Sequence, residues 1–93
     1  MTELLSGDEI NARLGDLDWS LDGKEIVREW EFKDFAAAIA FVDRVAEAAE
    51  EANHHPDILL HGWNKVRLAL SSHSAGGLTA ADFDMAHRLD KLG

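Results

Sequence analysis

The 93-residue chain carries 9 Lys plus Arg against 18 Asp plus Glu, a formal charge of −9 with every His neutral, and contains no Cys. That balance argues against a basic nucleic-acid binder, and the missing cysteines exclude disulfides and Cys-ligated zinc. A hydrophobic fraction of 46% beside 29% charged residues is ordinary globular usage, which excludes a disordered or fibrous chain and predicts one domain over residues 1–93. At this length roughly 60 to 65% of the unfolded surface is buried, so self-association would supplement a modest core. No apolar run reaches the roughly 18 to 20 residues that span a bilayer, and Met1-Thr2-Glu3-Leu4-Leu5 lacks the basic flank of a secretory signal. A cytoplasmic protein without membrane contact is the expectation.

Ser6-Gly7-Asp8-Glu9 is a capping box that opens a first helix, with Leu5 and Ile10 as its hydrophobic staple and Gly15 predicted as a left-handed stop. Residues 19–26 then read as a short strand, an Asp22-Gly23 turn and the start of a second strand. Along that second strand Ile26, Trp30 and Phe32 share a face with Arg28, while Glu25, Glu29 and Glu31 share the other with Val27. From Asp34 to about Asn53 the period changes to 3.6, with Phe35, Ile39, Val42, Ala46 and Ala49 on one apolar stripe and Asp43, Arg44, Glu47 and Glu51 elsewhere. Its many Ala residues permit close approach to a sheet. Pro56 fixes the end of this helix, because the residue before a proline is pushed away from helical dihedrals, and so His54 and His55 fall at a helix C-terminus.

Two further strands are predicted over residues 57–62 and 65–72, followed by an Ala75-Gly76-Gly77 turn. The last helix begins at Thr79, capped with Asp82 and stapled by Leu78 and Phe83. The order α-β-β-α-β-β-α predicts an α+β fold of two layers, a four-stranded antiparallel sheet with three helices packed on one face.

Five histidines stand out, four of them between positions 54 and 73. Glu50 and His54 are four apart on a helical pattern, so the carboxylate is expected to orient the imidazole by accepting one ring N–H and to leave the other nitrogen free. His55, one residue on and held extended by Pro56, points elsewhere and addresses a second part of the same ligand. Trp63 offers a flat surface suited to a bicyclic ring. The plainer alternatives are a His favouring the helix dipole, a Glu50 in a solvated acidic face with Glu47 and Glu51, a Trp63 in the core, and an Asp82 that only caps its helix. His61 belongs on the outer face of its strand, and His87 reads as a surface or packing residue. A metal centre is the second chemical option, but adjacent histidines broken by proline grip one ion poorly, and no His-Glu-x-x-His pattern is present.

The series Glu50, His54-His55-Pro56, Trp63, His73 and Asp82 resembles the signature of the pterin-4a-carbinolamine dehydratases. Trp19-Ser20-Leu21, Asp22-Gly23, Arg28, Phe32-Lys33-Asp34-Phe35, Asn53, Asn64-Lys65-Val66 and Gly76-Gly77-Leu78-Thr79 look like further landmarks of that family in its order, over roughly residues 4–92. Two departures are Ile58-Leu59-Leu60-His61-Gly62, where many relatives carry an aromatic and Asn-Val-Tyr, and Ser71-Ser72-His73, which replaces a Thr-bearing version. The resemblance implies removal of water from a 4a-hydroxytetrahydropterin to give the quinonoid dihydropterin, a pterin-recycling step that needs no cofactor and no metal. It implies His54, His55 and His73 as the catalytic set, Glu50 and Asp82 in support, and Trp19 and Trp63 against the substrate. It also implies a homo-oligomer, a dimer or tetramer. The alternative it carries is a protein-interaction, assembly or regulatory module on the same fold. The acid/base reading stands on its own chemistry too, since imidazole ordinarily titrates near neutrality.

Overall fold

The computed structural model describes residues 3–92 and contains seven elements in the expected order: α1 (Gly7–Leu14), β1 (Ser20–Asp22), β2 (Glu25–Glu31), α2 (Phe35–Ala52), β3 (Asp57–His61), β4 (Lys65–Leu70) and α3 (Ala80–Asp90). The strands form one open sheet in the order β1-β2-β4-β3, antiparallel throughout. The two central strands supply the core. Ile26 and Trp30 of β2 and Val66, Leu68 and Leu70 of β4 are buried against Phe41 and Val45 of α2 and Phe83 and Leu89 of α3. The Phe41 ring lies 4.9 Å from Trp30 and 5.0 Å from Phe32, centroid to centroid. On the other face of the sheet Glu29 stands opposite Arg67 and Glu31 opposite Lys65, opposite charges that suit a solvated surface. His61 lies there as predicted, 2.6 Å from Glu29, and His87 is exposed. Among the described residues no helix is long and apolar enough to cross a membrane.

The capping box of α1 forms, and hydrogen bonds from Ser6, the backbone one foremost, hold the Glu9 carboxyl below its ordinary pKa. Gly15 departs from expectation: its φ of −57° is right-handed, and the chain continues into a turn in which the Leu17 N–H reaches the Leu14 carbonyl at 3.0 Å. In α2 the Asp34 carboxylate caps the Ala37 N–H at 2.8 Å, but the buried stripe is Ala38, Phe41, Val45, Ala48 and Ala49. Of the stripe read from periodicity only Ala49 is buried, whereas Phe35 is 52% and Ile39 38% exposed. The helix carries two apolar stripes about one residue step, roughly 100°, apart. The one that places Phe41 beneath Trp30 and Phe32 faces the sheet.

Trp19 is the second departure. It is 4% exposed and edge-on to Trp30 at 5.7 Å, and its indole N–H donates to Asp90 Oδ1 at 2.8 Å. Arg28 donates to the same oxygen at 2.8 Å while its guanidinium lies 4.6 Å from the Trp30 ring centre. Asp90 therefore clamps the entry to β1 and the middle of β2 to the last turn of α3, and Trp19 is a core residue rather than a wall of the histidine site. Asp90→Ala strands a buried indole N–H and loosens the arginine, so urea unfolding is expected to show a loss of about 1–3 kcal/mol. A loss below about 0.5 kcal/mol, the range of an ordinary surface change, would remove the clamp from the account.

Candidate active site

α2 stops where Asn53 takes a left-handed backbone, φ 50° and ψ 43°, a conformation that asparagine tolerates and that ends a helix. The turn comes three residues before Pro56, and it decides where the imidazoles go. Because His54 lies beyond the helix, the four-residue spacing from Glu50 no longer places the two side chains together. Glu50 instead hydrogen-bonds His55 on the surface, where both side chains are more than half exposed. The expected Glu50–His54 pair is thus replaced by a Glu50–His55 pair.

His54 turns inward to Asp82. Its Nε2 lies 2.6 Å from Asp82 Oδ1, with the imidazole 19% and the carboxylate 0% exposed. Asp82 sits in the first turn of α3, where the helix dipole favours an anion, and His54 follows the C-terminal end of α2, where the dipole favours a cation. The second carboxylate oxygen accepts from the Ser72 hydroxyl at 2.8 Å and the Thr79 backbone N–H at 2.9 Å. Ser72 and Thr79 also join their hydroxyls at 2.8 Å. A fully buried carboxylate is tolerable only when it is hydrogen-bonded, and here the His54 ring, the Ser72 hydroxyl and the Thr79 N–H surround it.

His73 reaches the same place from β4. The strand ends at Leu70, and Ser72 pairs its N–H with the Gly77 carbonyl at 2.8 Å across a turn in which Gly76 has φ 80°. That turn brings residues 71–74 beside the end of α2. The result is an open cleft of about 440 Å³ whose walls include His54, His55, His73, Ser71, Ser72 and, from α3, Ala81. A smaller hollow of about 270 Å³, which shares His54 and Ala81 with the cleft, is bordered by Met85, Asp84 and Arg88. Among the described residues no group of three or more His, Asp or Glu side chains is arranged to hold a metal ion.

Five of the seven residues singled out from sequence lie together: His54, His55 and His73 on the cleft, Asp82 beneath His54 and Glu50 beside His55. The two tryptophans do not join them. Trp19 is locked to Asp90, and Trp63 sits in the β3–β4 turn, 61% exposed with φ 61°. Asp57 and Ala69 mark the cleft end of that hairpin, so Trp63 is about 15–20 Å along the strands from it. What sequence reasoning missed is Ser72 and the Thr79 hydroxyl. The only signal for them was small hydroxylated residues next to His73 and at a helix cap, a pattern common to many loops.

Comparison with known proteins follows the same outline. Residues 3–92 match the family model described as pterin 4 alpha carbinolamine dehydratase. The chain is 55% identical over 92 residues to a protein of Nocardia farcinica, covering 98% of this chain and 96% of the relative, and 52% identical over 93 residues to one of Cyanothece sp., covering 99% and 95%. Both are provisionally named pterin-4-alpha-carbinolamine dehydratases. Among solved structures, a transcriptional coactivator/pterin dehydratase from Brucella melitensis superposes with a TM-score of 0.88 at 36% identity over 95% of this chain and 96% of that one. A pterin dehydratase-like protein described as a RuBisCO assembly factor in the alpha-carboxysome gives 0.69 at 29% identity, over 83% and 90%. With nearly its whole length matched and its histidine cleft assembled, the chain belongs to the pterin-4a-carbinolamine dehydratase family.

Proposed function

We propose that this chain removes water from 4a-hydroxytetrahydropterins by general acid/base catalysis from its histidines. The observation that carries the reading is the convergence of His54, His55 and His73 on one cleft, with a buried carboxylate behind the first of them. The reaction asks for two proton transfers. The hydroxyl on the bridgehead carbon must be protonated as the C–O bond breaks, and the neighbouring ring nitrogen must give up its proton as the new C=N bond forms. Atoms and charge then balance as quinonoid dihydropterin plus water, with no electron transferred. His54 and His73 supply these transfers, and His55 positions the ring, itself steadied by Glu50. No cofactor or metal takes part in this scheme.

His54→Ala and His73→Ala are each expected to lower the rate of dehydration of freshly generated 4a-carbinolamine by about 10² to 10⁴, in stopped flow with and without chelator. Turnover at the wild-type rate in both variants would defeat the assignment, and loss of activity on adding chelator would favour a metal centre. A wild-type protein with no activity at all would favour the interaction module, the second reading, to which the likeness to a described assembly factor lends support.

The same reading includes a homo-oligomer. Support comes from the second stripe of α2, where Phe35 and Ile39 are exposed and Val42 and Ala46 continue the row at helical spacing. Phe35→Glu with Ile39→Glu is expected to convert the protein to monomer in light scattering coupled to size exclusion. An unchanged mass for the doubly substituted, folded protein would exclude this stripe from the contact.

A further inference from the structure

We infer that Ser72 and Thr79 are positioning residues which, through Asp82, hold the neutral His54 ring with its proton on Nε2 and so leave Nδ1 as the ring nitrogen free to take up a proton. This inference rests on the dehydratase reading for its kinetic consequences, but the tautomer itself can be read without turnover.

Proton counting sets the direction of every bond. The Thr79 backbone N–H can only donate, and it points at Asp82 Oδ2 at 2.9 Å. Ser72 Oγ also lies 2.8 Å from Oδ2, and an ionised carboxylate has no proton to return, so the single Ser72 hydrogen goes to it. Ser72 Oγ is then an acceptor toward its other neighbour, and the Thr79 hydroxyl 2.8 Å away must donate. The chain of donors runs Thr79 Oγ1–H to Ser72 Oγ–H to Asp82 Oδ2. With Oδ2 occupied, Oδ1 is left as an acceptor for His54, and Nε2 at 2.6 Å must carry the hydrogen. A neutral imidazole has one N–H, so Nδ1 keeps its lone pair. The three hydrogen-bonding residues lie on two different segments, the loop after β4 and the start of α3, and all three are buried. Ser72 is fixed further by its backbone N–H on Gly77 and by the Gly76 N–H on its carbonyl at 2.9 Å. The Ser72 hydroxyl is therefore held by its own backbone as well as by Asp82 and Thr79.

Asp82→Asn reverses the pattern. The amide must turn its carbonyl oxygen to the Thr79 N–H and Ser72 hydroxyl, so its NH₂ faces His54, which then has to accept at Nε2 and place its proton on Nδ1. The test combines ¹⁵N spectra of the histidine rings, recorded at alkaline pH where the ring is neutral, with dehydration kinetics. In the wild-type protein the neutral His54 is expected to carry its proton on Nε2, and in Asp82→Asn on Nδ1. Asp82→Asn is expected to lose about 10³- to 10⁴-fold in kcat, as expected when a catalytic imidazole is held in the wrong tautomer. Ser72→Ala is expected to lose about 10- to 100-fold in kcat with KM little changed, the usual effect of removing a partner of a positioned side chain, and Ser72→Thr to restore most of it. A wild-type His54 protonated on Nδ1, or interchanging freely between the two forms, would overturn the inference whatever the kinetics. An ordered Nε2–H tautomer in a protein that does not dehydrate pterins would leave the cradle standing and sink the dehydratase reading alone. Equal kcat in Ser72→Ala and wild type would remove Ser72 from the positioning set.

Discussion

A single buried carboxylate joins the parts of the chain that line the histidine cleft. Asp82 has no solvent of its own and must be satisfied by the protein, and the groups that satisfy it come from the end of α2, the loop after β4 and the first turn of α3. Any rearrangement that separated these segments would leave an unpaired charge in the interior, a penalty of several kcal/mol. The requirement to bury Asp82 well is thus also the requirement that His54 face the same cleft as His55 and His73.

The scaffold keeps that junction in place from a distance. β2 and β4 bury one apolar face each, and α2 and α3 lie across them, and the C-terminal end of α2 and the N-terminal end of α3 come together where β4 ends and β3 begins. The two helix ends bring opposite partial charges to the imidazole and the carboxylate that need them. At the other end of α3, Asp90 holds Trp19 and Arg28. One helix is therefore pinned by an acidic residue at each end, at Asp82 to the site and at Asp90 to the core.

Much of this was legible in the residues alone, for identifiable reasons. The Ser6–Glu9 box, the Asp22-Gly23 turn, the alternation in β2 and the change of period after Asp34 are local signals, and each element formed where they stand. His54, His55 and His73, which line one cleft, were singled out together because the sequence resembles one family over almost its whole length. What failed were the inferences that needed three dimensions. The Glu50–His54 spacing presumes a helix that Asn53 has already ended, and the apolar stripe of α2 was one of two that periodicity cannot rank. Trp19 and Trp63 occupy family landmarks, yet one is drawn to Asp90, far away in sequence, and the other stands at the tip of its own hairpin. Ser72 became visible only when its hydroxyl was found beneath Asp82.

The central claim is that three imidazoles share one pterin-binding cleft and the other two do not. Titrating the protein with a stable dihydropterin while following all five histidine rings by NMR tests it within one molecule, with His61 on the outer sheet face and His87 on α3 as internal references. The rings of His54, His55 and His73 are expected to shift together with one saturation curve while those of His61 and His87 stay in place. Shifts confined to His61 or His87, or three separate responses from the cleft residues, would contradict the account.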